Sequence, residues 1–188
     1  MFHRKKAEKN TIYLYFRETK SKAGLISKSY NINNSNYSHV GIGGIINGKE
    51  QVYHILFWND GKKHFTDLRI ESIDDFFNPK NEKVLSGGVY SVKNVTPYEY
   101  SKFTNVLDSI RQQRLAFDKK FESIDDNKFY CSELVISLLR FTKRDFHLKK
   151  IKKKLTGIDA VILNRDSISY YPTDIFMNNE NFTPVEKW

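Results

Sequence analysis

With 188 residues, 39% hydrophobic and 14% aromatic, the chain can bury one full core, which excludes a disordered chain. A single cysteine, Cys131, excludes an internal disulfide framework and a structural zinc site built on thiolates. The formal net charge of +9 is local. Residues 1–10 carry +3, and residues 140–154 carry +7, eight basic side chains against Asp145. Such patches point either to an anionic partner or to a solvated tail and a solvated helix face.

The basic start at Met1–Lys6 runs into more charge instead of an apolar stretch, so no secretory signal is expected. No run approaches the about 18 apolar residues of a membrane span. With one free thiol, the expected location is cytoplasmic. Residues 1–10 read as a flexible basic arm and 11–188 as one α+β domain.

Residues 11–16, β-branched and aromatic, predict a strand. The polar, Asn-rich stretch 21–37 reads as a long loop with room for a short helical piece. Residues 40–46 and 51–58 predict a hairpin closed by Asn47-Gly48, with a further turn at Asn59-Asp60-Gly61. A short strand over 64–70 and one helical turn over 73–77 follow. Residues 84–95 form a strand bent at Gly87-Gly88. Thr96-Pro97-Tyr98-Glu99 opens a helix with a capping box, and Tyr100, Phe103, Leu107 and Ile110 line its inner face. A second helix covers 130–141. A third amphipathic helix is expected over about 145–155, with Leu148, Ile151 and Leu155 opposite lysines. Residues 169–176 predict a packed aromatic turn and short helix.

Chemistry centres on Phe129-Tyr130-Cys131-Ser132-Glu133-Leu134-Val135. Cys131 shares the inward stripe of its helix with Val135 and Leu138 and sits in the first turn. Amides and dipole there favour a thiolate and should lower its pKa. A lone buried cysteine is also an ordinary packing residue, so the helix by itself leaves both roles open. His39, at a strand start, shares its face with Gly41 and Gly43. Their missing side chains leave space beside the imidazole, as a base for a thiol needs. His54, on the facing strand, is placed to orient that ring, although register could give the role to Glu50 or Gln51. His3, His64 and His147 lack comparable context. No HxH or HExxH spacing appears, so neither metal nor cofactor is expected.

Ser38-His39-Val40-Gly41-Ile42 and Tyr130-Cys131-Ser132-Glu133-Leu134-Val135 together resemble the two signature segments of the circularly permuted NlpC-type papain-like cysteine hydrolases, closest to the YiiX-like branch. Pro172-Thr173-Asp174-Ile175 resembles the family's segment after the cysteine helix. The order His39, His54, Cys131 is the permuted one. Two features depart from the pattern: no Gly-Asp turn opens the first strand, and His54 stands where the family often has Glu.

The resemblance implies a papain-like fold, with an antiparallel sheet packed against a helix that carries the nucleophile at its N-terminus. It implies Cys131 as nucleophile, His39 as base and His54 as orienting residue. The backbone N–H of Cys131 would serve the oxyanion, with Tyr130 as a candidate contributor. The expected reaction is hydrolysis of an amide bond, such as that of a cell-wall peptide. The alternatives are a lipid ester or amide hydrolase or acyltransferase of the same fold, and a non-catalytic module for an anionic polymer, nucleic acid or membrane surface held through residues 140–154.

Overall fold

The computed structural model describes residues 7–57, 61–62, 64–122 and 125–188. Its centre is a six-stranded sheet built from β1 (Tyr13–Thr19), β2 (His39–Ile46), β3 (Lys49–Ile55), β4 (Leu68–Ser72), β5 (Val84–Val92) and β10 (Phe182–Lys187). The strand order is β10-β5-β1-β2-β3-β4, and every pairing in it is antiparallel. β1 is buried along its whole length because both of its faces are covered.

One face of the sheet, bearing Leu14, Phe16, Val40, Ile42, Tyr53 and Ile55, packs against α3 (Pro97–Ile110) and α4 (Cys131–Leu139). The other, bearing Tyr13, Tyr15, Val52 and Val89, is covered by α2 (Ile73–Phe77) through Phe76 and Phe77 and by Trp188. α3 starts with the expected capping box, Thr96 and Glu99 bonding reciprocally. A 3₁₀ turn over Arg140–Thr142 ends α4.

Residues 21–37 are less of a loop than the composition suggests, because they contain α1 (Lys22–Ser29), capped by Ser21. Two residues, Ala116–Phe117 (β6), pair in parallel with Lys128–Phe129 (β7) ahead of α4. The remaining elements are β8 (Ile151–Lys154), α5 (Gly157–Leu163) and β9 (Ser167–Tyr170).

The helix expected over 145–155 does not form. Asp145 accepts the N–H of His147 in a tight turn, and His147 takes a left-handed φ of 54°, which stops a helix. The lysine run that follows is β8, paired with β9. Alternation turns Lys152 and Lys154 outward and leaves Ile151 and Lys153 half-buried, a period-two pattern hidden behind a helical spacing of leucines and isoleucine.

After β9, residues 172–177 make turns without a helix. β10 had no counterpart in the sequence reading. Residues 1–6 of the expected arm, and Asn59-Asp60, lie outside the described residues. Residues 7–10 turn back on the fold, where the Glu8 N–H donates to the Tyr13 hydroxyl at 3.0 Å.

Candidate functional site

Register brings the two expected histidines together. Gly41 faces the His54 Cβ across β2 and β3, and a methyl group there would press on Val52 and His54. The close approach lets the His39 ring reach its neighbour, and His39 Nε2 lies 2.8 Å from His54 Nδ1. The rings meet edge to face, and both lie against Phe76 of α2. The other His54 nitrogen, Nε2, lies 3.0 Å from Glu71 Oε2 on β4. Val52 pairs with Glu71 and His54 with Arg69, so Glu71 is the diagonal neighbour of His54 on one face.

These contacts fix the protons. A carboxylate only accepts, so His54 carries its proton on Nε2 and donates it to Glu71. Nδ1 of His54 is then an acceptor, and Nε2 of His39 must donate to it. The lone pair of His39 is left on Nδ1. The chain Glu71, His54, His39 therefore presents a neutral imidazole with a defined basic nitrogen.

Both rings are kept neutral. Burial pushes the pKa of His39 well below 6.5, and the nearby Arg17 and Arg69 cations, with His54 should it protonate, push it further. Burial acts on His54 in the same direction, helped by Arg17 and Arg69. Arg17 pairs with His39 across β1 and β2. It is fully buried, donates from Nη1 to the Phe76 carbonyl at 2.6 Å, and stacks on the Phe76 ring. Its own pKa is lowered by burial, while Glu71 and Glu82 oppose that shift.

Cys131 is the first residue of α4, after Tyr130 at the cap position. The helix packs on the face of β2 that carries Val40 and Ile42, whereas alternation turns the His39 ring to the other face, against Phe76. The thiol is held by the backbone N–H of Val40, the Thr173 hydroxyl and the N–H groups of Ser132 and Cys131. Cys131 thus meets β2 at the residue that follows His39. The contacts the structure shows for its sulfur are to these donors and not to an imidazole.

The expected lowering of the thiol pKa is overturned. Burial dominates and raises it above 9.0, against the pull of the four donors. The resting site is a neutral thiol and a neutral imidazole.

Tyr130 is buried, and its hydroxyl accepts the Tyr171 N–H at 2.9 Å. Ser132 Oγ donates to the Tyr171 carbonyl at 2.6 Å. Residues on either side of Cys131 therefore clamp the segment that delivers Thr173. Asp174, fully buried, accepts the N–H groups of Ile32 and Asn33 and ties that segment to the loop before β2. Ser27 of α1 lies 3.3 Å from the Thr173 hydroxyl.

Glu71 and Arg17 were not singled out from the sequence as parts of the site, and Thr173 was read only within the Pro172-Thr173-Asp174-Ile175 segment, without a role of its own. The alternation Arg69-Ile70-Glu71 beside the His54 strand was the available signal for Glu71. Arg17 at the end of an apolar strand was another, because a buried arginine demands partners.

No family model matches the sequence, and no curated protein matches it. Among solved structures, the chain is similar to the crystal structure of metalloprotein YiiX from Escherichia coli O157:H7, DUF1105, with a TM-score of 0.67 and 16% identity. The alignment covers 95% of this chain and 97% of that one. At that identity the likeness concerns the fold, and along almost its whole length the chain has a YiiX-like fold of mixed α+β class.

Proposed function

We propose that the protein is a cysteine-dependent hydrolase in which Cys131 is the nucleophile, His39 the base and His54, held by Glu71, the orienting residue. One observation carries the reading: the Glu71–His54–His39 chain leaves His39 Nδ1 as the only nitrogen able to take a proton, at the strand start that the Cys131 thiol adjoins. A permuted papain-like, NlpC-type architecture accounts for this order of residues and accords with the YiiX-like fold.

Because burial keeps both groups neutral, the thiol is activated during attack and not beforehand. In the reactive arrangement the Cys131 thiol leaves its resting donors and gives its proton to His39 Nδ1 as sulfur bonds to the substrate carbonyl carbon. The imidazolium shares its charge with His54 and Glu71. His39 then returns the proton to the leaving amine or alcohol as the carbonyl bond to it breaks, leaving a thioester that water hydrolyses. The Cys131 N–H serves the oxyanion, with the Thr173 hydroxyl as a second donor near the sulfur. Tyr130 contributes by seating residue 171.

The target is an amide bond, such as that of a cell-wall peptide. A lipid ester or amide is the alternative for the same chemistry, by hydrolysis or by acyl transfer.

The similar Escherichia coli structure is described as that of a metalloprotein. The histidines here do not fit a resident metal. Their facing nitrogens are bonded to each other, the remaining nitrogen of His54 is committed to Glu71, and no group of three metal-ligating side chains stands together among the described residues.

The test is acylation by p-nitrophenyl acetate. One acetyl group should appear on Cys131 by mass spectrometry, with matching release of p-nitrophenolate. His39→Ala should slow it about a hundredfold. Acetylation elsewhere in the chain, or an unchanged rate in His39→Ala, would sink the reading and leave a binding module for an anionic polymer as the better one.

A further inference from the structure

α5 turns its apolar residues the wrong way for a core helix. Ile158, Val161 and Ile162 are 73%, 78% and 67% exposed, while Asp159, Ala160 and Leu163 face the protein. At i, i+3 and i+4 they form one stripe. A stripe of three large aliphatic side chains on so short a helix is not scattered surface apolarity.

Its surroundings are basic. β8 leads directly into α5, with Lys152 and Lys154 exposed, and Lys149 precedes them. On its other side α5 adjoins α1. Tyr30, at the end of α1, donates to Asp159 of α5 at 2.8 Å, and Lys153 donates to the Ser29 carbonyl at 3.1 Å. α1 adds its own exposed apolar pair, Leu25 and Ile26, with Lys22 one turn earlier.

We infer that α5, with the β8 lysines and α1 beside it, is a docking face for an anionic lipid bilayer. Aliphatic side chains enter the headgroup boundary, and lysines at the rim meet lipid phosphates and carboxylates. The charge selects this occupant. A nucleic acid would use the lysines and leave three aliphatic residues without a role. A second copy of the chain would place one lysine cluster against another.

The face includes none of the residues assigned to acyl transfer, so its test is independent of that reading. The full chain is sedimented with phosphatidylcholine vesicles, with and without phosphatidylserine. Wild type should pellet only with the anionic vesicles, and less so as salt rises. Ile158→Asp with Val161→Asp should weaken binding at least about tenfold, since each exposed aliphatic that inserts contributes on that scale. Lys152→Glu with Lys154→Glu should weaken it and flatten the salt dependence. Cys131→Ala should bind as wild type. Circular dichroism checks that the exposed-site variants stay folded. Failure of wild type to pellet with anionic vesicles overturns the inference. So does binding that survives the aspartates, which would mark a purely electrostatic contact.

Discussion

Glu71 accepts from only one imidazole, yet its charge sets the proton on two, because each nitrogen along the chain has one role left once its neighbour's is fixed. Glu71→Gln removes that constraint. The amide can donate to His54 Nε2, which lets His54 carry its proton on Nδ1 and turns His39 Nε2 into an acceptor. The His39 proton then moves to Nδ1, and the base proposed for Cys131 would be lost. The expected result is acetylation slowed by roughly one to two orders of magnitude, with partial recovery in Glu71→Asp. Nitrogen-15 chemical shifts of the two rings should report the tautomer exchange directly. Unchanged shifts with a lowered rate would mean that Glu71 acts only by packing.

Between elements, the tightest tolerance is where β2 meets β3. A Cβ on Gly43 would overlap the Gln51 carbonyl oxygen, and neither backbone can move without breaking the ladder that aligns His39 with His54. Gly43→Ala should cost about 3 kcal/mol or more in urea unfolding. Gly48→Ala, in the turn of the same hairpin, meets nothing but holds a φ of +76°, and should cost roughly 1–2 kcal/mol. The hairpin was legible because Asn47-Gly48 fixes its turn, and the turn fixes the register that joins the histidines. α3 was legible through its capping box. Cys131 at a helix start was legible from the apolar stripe behind it. β8 was not, since Leu148, Ile151 and Leu155 fit a helix until His147 breaks it, and that break depends on an Asp145 side chain bond. Glu71 was hidden for a different reason: the pairing of β3 with β4 is not set by a tight turn, so no local rule placed it beside His54.

Over the whole molecule, these buried groups limit the pH range of the fold. Both histidines refuse a proton that the unfolded chain binds near 6.5, so the unfolded state gains protons, and stability falls as pH is lowered through that value. Cys131 keeps a proton that the unfolded chain releases near 9.0, so stability also falls as pH rises through 9.0. Tyr30, Tyr37 and Tyr100, pushed up to about 12, extend that loss above 10.0. Denaturant midpoints should be flat between the two limbs. Cys131→Ala should move the start of the alkaline limb from near 9.0 toward 10.0, and a limb that stays put would show that the thiol titrates freely in the folded state.

The sheet order also fixes a sequence of events during synthesis. His39, His54 and Glu71 all belong to the run of strands from β2 to β4, whereas the donors around the thiol come from Val40, from the start of α4 and from residue 173. On a ribosome the hydrogen-bonded chain of Glu71, His54 and His39 has all of its members before Cys131 has been translated. The Cys131 thiol is enclosed only when the segment at Thr173 follows, and the outer edge of the sheet closes last with β10. A nascent chain thus passes through a stage with its two imidazoles already bonded and its thiol still open to oxidants and to chance acyl donors.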